Sequence, residues 1–200
     1  MNFVALSSSR GTTLQAVIDA TASGSLHMQC LGLITDDPSR ECISKAEAAN
    51  IPVLIIEKKA DESREDYDKR LDDAITSLGT SKDETIIAAL GWMFIFSPWF
   101  IGQWQGRIVN VHPALLPKHG GKGMYGRRVH QAVLDAGDSE SGISIHIMDE
   151  GIDTGPIIVQ KTCSVMPDDT VDSLKVRVQE LEKEWYPRAL EMISDGTITL

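Results

Sequence analysis

Three residues able to handle an acyl group stand in two short segments of the chain. The first segment, Asn110-Val111-His112-Pro113, ends an apolar run that begins at Ile108-Val109. Residues two apart on an extended backbone point the same way, so Asn110 and His112 share a face. Pro113 lacks an N–H, which ends ladder pairing there and keeps His112 extended. The second segment is the acidic turn Asp149-Glu150-Gly151-Ile152-Asp153-Thr154-Gly155-Pro156, placed after the run Ile143 to Met148. An amide, an imidazole and a carboxylate together suit transfer of an acyl or formyl unit to an amine. Asn110 and a protonated His112 would donate to the oxyanion of the tetrahedral intermediate. Asp153 would raise the pKa of His112 and take the proton that the amine must lose. No Ser or Cys nucleophile is required.

Convergence of these groups needs a scaffold that ends its strands at one place. If the strands before the two turns are parallel neighbours, both turns emerge at the carboxyl edge of a sheet, where open α/β folds bind ligands. The upstream pattern supports such a sheet. Asn2 to Leu6, Met28 to Ile34 and Pro52 to Ile56 read as strands, with helices from Leu14 to Thr21 and around Cys42, Ala46 and Ala49. This βαβαβ beginning, free of hairpin signals, predicts a Rossmann-like α/β fold: a mostly parallel twisted sheet wound in right-handed crossovers and flanked by helices, with an antiparallel edge toward the C-terminal end. Asp61 to Ser77 is an amphipathic helix, with Tyr67, Leu71 and Ile75 repeating every four residues, and Thr85 to Leu90 is a buried central strand. Ser97-Pro98 starts a short helix, and Val129 to Ala136 another. In the run Ile143 to Met148, Ser144, His146 and Met148 alternate with Ile143, Ile145 and Ile147, so one set faces the site and the other the opposite layer. His146 is either a satisfied core group or a support for the catalytic ones. Pro156 to Met166 is an edge or antiparallel strand. A long helix follows Thr170 with a stripe of Val171, Leu174, Val178, Leu181 and Trp185, and Pro187 is expected to kink or break it.

Three further stretches bear on binding. Ser7 to Thr13 lies between the first strand and the first helix, an arrangement that offers free N–H groups and a helix dipole to a phosphate. Thr12 and Thr13 serve there either as phosphate donors or only as an N-cap. Gly91-Trp92-Met93-Phe94-Ile95-Phe96 is unusually apolar for a strand exit and suits a flat aromatic ring, although Trp92 and Phe96 also fit a core. Gly121, Gly123 and Gly126 formally satisfy GxGxxG, but they follow a proline-bounded loop rather than a strand, so residues 119–128 read as a mobile flap and not as a dinucleotide site.

Composition narrows the classes. Two hundred residues without a linker or repeat fit one domain, residues 1–200. Acidic residues outnumber basic ones 29 to 19, a net charge of −10 that disfavours nucleic acid as a partner. No apolar run is long enough to span a membrane and no signal-peptide pattern opens the chain, so a cytoplasmic location is expected. Cys30, Cys42 and Cys163 are odd in number and unpaired in spacing, and the five histidines form no HExxH, so neither disulfides nor a metal site is expected.

Asn110 to Pro117, Asp149 to Pro156 and Ser8 to Ala16 together resemble the folate-dependent formyltransferase family over nearly the whole chain. The resemblance implies that a formyl group passes from 10-formyltetrahydrofolate to the amine of 5'-phosphoribosylglycinamide in purine biosynthesis, with Asn110, His112 and Asp153 catalytic. It implies that Gly11, Thr12 and Thr13 hold the ribotide phosphate, and that Gln179 and Glu182 reach its ribose and amine end, positions that otherwise read as surface charge. Folate would meet Arg64, Met93, Phe94, Ile95, Phe96, Asp149, Glu150, Gly151 and Ile152. Residues 1–90 would form the ribotide-binding half and residues 91–200 the folate-binding and catalytic half. Small molecules are the implied partners, with a monomer or homodimer as the working unit. The chain departs from relatives that carry Gly-x-Gly-Ser-Asn in the first loop or a basic residue in place of Phe94. Two other enzymes share these motifs. A formyltetrahydrofolate hydrolase usually carries an N-terminal regulatory domain, whereas this chain begins at its first strand. A methionyl-tRNA formyltransferase typically has a basic C-terminal domain, whereas this chain ends in an acidic helix. A non-catalytic folate or nucleotide sensor is the alternative from another class.

Overall fold

Phe3, Val4, Ala5 and Leu6 are all buried, as are all five residues of Thr85 to Ala89. Strands apolar on both faces must be covered on both faces, and these two form the centre of the sheet. In the computed structural model, which describes residues 1–200, the chain runs β1 (Asn2–Leu6), α1 (Thr12–Ser23), β2 (Gln29–Thr35), α2 (Cys42–Ala48), β3 (Val53–Ile55), α3 (Arg64–Ser77), β4 (Thr85–Ala89), α4 (Pro98–Gln103), β5 (Ile108–His112), α5 (Arg127–Asp135), β6 (Glu140–Ile147), β7 (Ile157–Ser164) and α6 (Val171–Ser194). The seven strands make one sheet in the order β3-β2-β1-β4-β5-β6-β7. The first five are parallel, as the βαβ pattern predicts, while β5 with β6 and β6 with β7 are antiparallel.

The pairing of β5 with β6 corrects the expectation that they are parallel. His112, the last residue of β5, stands opposite Ser144, and β6 begins four residues earlier at Glu140, beyond the end of β5. The connection therefore stays at the carboxyl edge. The only helix within it, α5, has nine residues and does not return the chain along the length of the sheet.

Helices divide between the two faces. Ile143, Ile145 and Ile147 join Val109, Leu14 and Val17 in a core closed by Leu174, Val178, Tyr186 and Leu190 of α6. On the other face, Leu71 and Ile75 of α3 and Phe100 and Ile101 of α4 pack against Val4, Leu6, Ile87 and Ile108. The alternation read in the sequence is thus observed, with Ser144 and His146 on the face that carries Asn110 and His112. α6 also departs from expectation: it continues unbroken through Pro187 to Ser194. A proline costs a helix about 3 kcal/mol. Here the turn around it is anchored by the buried side chains of Tyr186, Pro187, Ala189 and Leu190 and by the Tyr186 hydroxyl donating to the Val109 carbonyl at 2.8 Å.

Candidate active site

A cavity of about 510 Å³ opens along the carboxyl edge. One end is the turn between β1 and α1. Gly11 caps α1 in the left-handed region (φ 72) with no side-chain cap, so the N-cap role considered for Thr12 and Thr13 is not observed. The Thr13 hydroxyl instead donates to Glu182 Oε2 at 3.2 Å. The first-turn amides of a 12-residue helix with no capping side chain are a suitable seat for an anion. Glycine is needed at position 11 on two counts: its positive φ, and the 2.8 Å at which a Cβ would meet Cys42 Cβ.

A second wall is the exit of β4. Met93, Phe94, Ile95 and Phe96 all line the cavity, with Met93 and Ile95 about half exposed and Phe96 buried. Behind them the rings of Tyr67, Phe94, Trp92, Phe96 and Phe100 follow one another at centroid distances of 4.7–6.4 Å. Phe96 therefore belongs to both the wall and the core. Ser7 and Ser8 tie this segment to the first turn, the Ser7 hydroxyl donating to the Leu90 carbonyl at 2.9 Å and the Met93 amide to Ser8 Oγ at 3.3 Å.

In the same cavity, register brings the polar groups together. Asn110 stands opposite His146 in the β5–β6 ladder, and Asn110 Nδ2 lies 3.0 Å from His146 Nε2. His146 Nδ1 lies 3.2 Å from the Ile147 carbonyl, which can only accept, so Nδ1 carries the proton and Nε2 takes one N–H of the Asn110 amide. The second N–H of that amide remains for a ligand. His112 follows a different logic. Its Nε2–H donates to the His119 carbonyl at 2.8 Å, and its Nδ1 faces Asp153 Oδ2 at 3.4 Å. Asp153 reaches this place because the loop after β6 turns back: the Met148 amide donates to the Ile108 carbonyl, the Ile147 amide to the Pro156 carbonyl, and the Gly121 amide to Asp153 Oδ2 at 3.0 Å.

The electrostatics correct the expected protonation of His112. Burial lowers its pKa and outweighs the attraction of Asp153 and the hydrogen bond to His119, so the imidazole is neutral near neutral pH, not protonated. For Asp153 burial acts upward, but hydrogen bonding with His146, attraction to His112 once that ring is protonated and the Gly121 amide outweigh it, and the carboxyl is held below its ordinary value. A bare Nδ1 beside an ionised carboxylate is a place for a proton.

The sequence pattern of the family described as formyl transferase matches residues 1–190. The chain belongs to the formyl transferase family. Phosphoribosylglycinamide formyltransferase of Escherichia coli (strain K12) is 32% identical over 200 residues, covering 100% of this chain and 90% of that protein. The trifunctional purine biosynthetic protein adenosine-3 of Drosophila melanogaster is 40% identical over 194 residues, 96% of this chain, but the chain spans only 14% of that protein's length. Among solved structures, phosphoribosylglycinamide formyltransferase from Bacillus halodurans superposes with a TM-score of 0.90 at 29% identity, over 100% of this chain and 98% of that one. The Coxiella burnetii enzyme in complex with CHES gives 0.88 at 34% identity, over 98% and 88%.

Thr12, Thr13, the four residues 93–96, Asn110, His112, Asp149, Gly151, Ile152, Asp153, Gln179 and Glu182 all line the one cavity. Gly11, Arg64 and Glu150 are not among the lining residues. Gly11 shapes the turn from behind, and Arg64 is exposed as the first residue of α3. Lining residues absent from the sequence-based set include Lys175 and His130. Lys175 precedes Gln179 by four residues and Glu182 by seven, so helical spacing from those two was the available signal. His130, buried with its pKa pushed down to about 4 by burial and the nearby Lys175, carries no such signal, because nothing in its sequence context reports its burial. Burial also pushes Glu182 up to about 7, against the Thr13 hydroxyl and Lys175. Elsewhere, no three His, Cys, Asp or Glu side chains are grouped to hold a metal ion, and no helix is long and apolar enough to cross a membrane.

Proposed function

We propose that this chain transfers the formyl group of 10-formyltetrahydrofolate to the amine of 5'-phosphoribosylglycinamide, a step of purine biosynthesis. The observation that carries this reading is the gathering of Asn110, His112 and Asp153 in the lining of one cavity with an uncapped helix N-terminus suited to phosphate and an aromatic wall suited to a pterin. The relatives named for this activity support the acceptor and the pathway.

The ribotide phosphate sits at Gly11, Thr12 and Thr13, and Gln179 and Glu182 hold its ribose and amine end. The folate lies across Met93 to Phe96 and Asp149 to Ile152, with Arg64 and Glu150 reaching it from outside the cavity lining. The amine attacks the formyl carbon, and the free N–H of Asn110 meets the developing oxyanion. The proton leaving the amine passes to His112 Nδ1 beside Asp153. The resulting imidazolium, stabilised by that carboxylate, returns the proton to N10 of the folate as the C–N10 bond breaks. Atoms balance without an external acid or a covalent enzyme intermediate. Residues 1–200 act as one domain, residues 1–90 supplying the ribotide-binding half and 91–200 the folate-binding and catalytic half, with α6 closing the ribotide end. The enzyme works on small molecules in the cytoplasm as a monomer or homodimer.

The test is the appearance of tetrahydrofolate-type absorbance from a 10-formyl folate donor with and without the ribotide. Product only with the ribotide is the expected result. Equal product without it identifies a hydrolase, and binding of folate without turnover identifies a sensor.

A further inference from the structure

His119 and Asp138 lie outside the catalytic cavity and border a separate one of about 220 Å³. Nevertheless, the carbonyl of His119 is the acceptor for His112 Nε2–H, at 2.8 Å. Two residues on, the Gly121 amide donates to Asp153 Oδ2 at 3.0 Å. A single turn therefore touches both members of the proposed proton-accepting pair. That turn is anchored on its outer side, where His119 Nε2–H donates to Asp138 Oδ2 at 2.7 Å and Lys118 pairs with the other oxygen of the same carboxylate. His119 itself is in the left-handed region (φ 57), a conformation side-chain-bearing residues rarely adopt, and glycines fill positions 120, 121 and 123 immediately after it. Little in so glycine-rich a loop would hold a carbonyl in place. The hydrogen-bonded side chain does.

We propose that the His119–Asp138 pair is a latch that positions His112, fixing its proton on Nε2 and so keeping Nδ1 bare toward Asp153. The argument rests on the reading of His112 as the proton acceptor. A carbonyl accepts and never donates, so while His119 is held, Nε2 must carry the hydrogen. Released, the turn withdraws that acceptor, and the Asp153 carboxylate favours a proton on Nδ1, which fills the position that must receive one from the amine. The titratable groups facing His112 are Asp153 from the loop after β6, His146 from β6, His119 from its own turn and His130 from α5. None of the other three offers Nε2 a competing acceptor in the structure.

The latch is tested with His119→Gly and Asp138→Asn. Glycine accepts the left-handed backbone without strain, so His119→Gly keeps the turn's conformation available and removes only the anchor. In ¹⁵N-histidine-labelled protein, the His112 nitrogens are expected to report the Nε2–H tautomer in the wild type and a shift toward Nδ1–H in both variants. kcat should fall on the order of tenfold or more, as when a group orienting a functional histidine is lost, with both KM values within about twofold. His119→Gln, which presents an N–H at similar reach, should restore most of kcat. Lys118→Met, which removes only the second partner of Asp138, should leave kcat near wild type. An unchanged His112 tautomer in His119→Gly, or a kcat within twofold of wild type, overturns the proposal. If the wild type transferred no formyl group to the ribotide, the reaction assigned above would fall, while the tautomer measurement would still decide the latch.

Discussion

Asn110 has two amide hydrogens, and the structure spends only one of them inside the protein, on His146. The other is left as a donor for an oxyanion at this place. Asn110→Ala should therefore lower turnover on the order of 10²-fold while leaving the circular dichroism spectrum and the unfolding midpoint near wild type; near-normal turnover would remove the oxyanion role. For His112 the sign of the pH dependence follows from its lowered pKa. The accepting form is the neutral imidazole, present above that pKa and lost below it, so kcat/KM should rise with pH along a limb whose midpoint lies below the ordinary 6.5. In Asp153→Asn the attraction that raises the His112 pKa is gone, so the limb should move further toward acid and its plateau should drop; a limb that moved toward base would contradict this arrangement. The types and the shared face of Asn110 and His112 were legible from spacing alone. The charge state of His112 was not, because the sequence shows the carboxylate that would raise its pKa but not the burial that prevails.

The two segments proposed as catalytic converge by a route that alternating apolar residues do not disclose. A period of two identifies β5 and β6 as strands and sorts Ser144 and His146 from the isoleucines, but it is the same for either strand direction. Direction is set by the connection, and the nine-residue α5 keeps the chain at one edge. Asp153 then arrives through a loop that folds back on β6 at Gly155, where a Cβ would lie 1.8 Å from the Ile147 carbonyl oxygen. No flexible side chain can yield there, so Gly155→Ala must displace the loop and Asp153 two residues before it. Because a misplacement of about 1 Å can cost on the order of 10²-fold, this variant should lose at least tenfold in kcat even though residue 155 is itself absent from the cavity lining. Wild-type kcat in Gly155→Ala would show that the loop finds another path. α6 was likewise only half legible: its Thr170 cap and the buried Leu174 and Val178 were, whereas Val171, Leu181 and Trp185 of the expected stripe are only partly buried, and a proline marks a break wherever tertiary packing does not supply what the lost hydrogen bond removes.

At the scale of the whole molecule, the proposed division into a ribotide half and a folate half is not a division of folding. One core cluster holds Phe3, Leu14 and Val17 from the start of the chain together with Leu174, Val178, Leu190 and Ile193 from its last helix. β4 pairs with β1 on one side and β5 on the other, so the sheet too continues across the boundary at residue 90. Thermal unfolding of residues 1–200 should therefore show one calorimetric peak, with calorimetric and van't Hoff enthalpies in agreement. Residues 1–90 alone should show none, since β1 and α1 would lose their cover from α6. Leu190→Ala, in the middle of that cover and fully buried, should destabilise the chain by about 2–5 kcal/mol, seen as a lower denaturant midpoint at unchanged slope. The ribotide end should respond through the same helix, because Gln179 and Glu182 lie on it. Near the unfolding midpoint of the variant, saturating ribotide should raise the observed stability, since a ligand that binds only the folded chain draws the equilibrium toward it. Two separate peaks, with the ribotide shifting only one of them, would mean instead that α6 can leave the sheet while the rest stays folded.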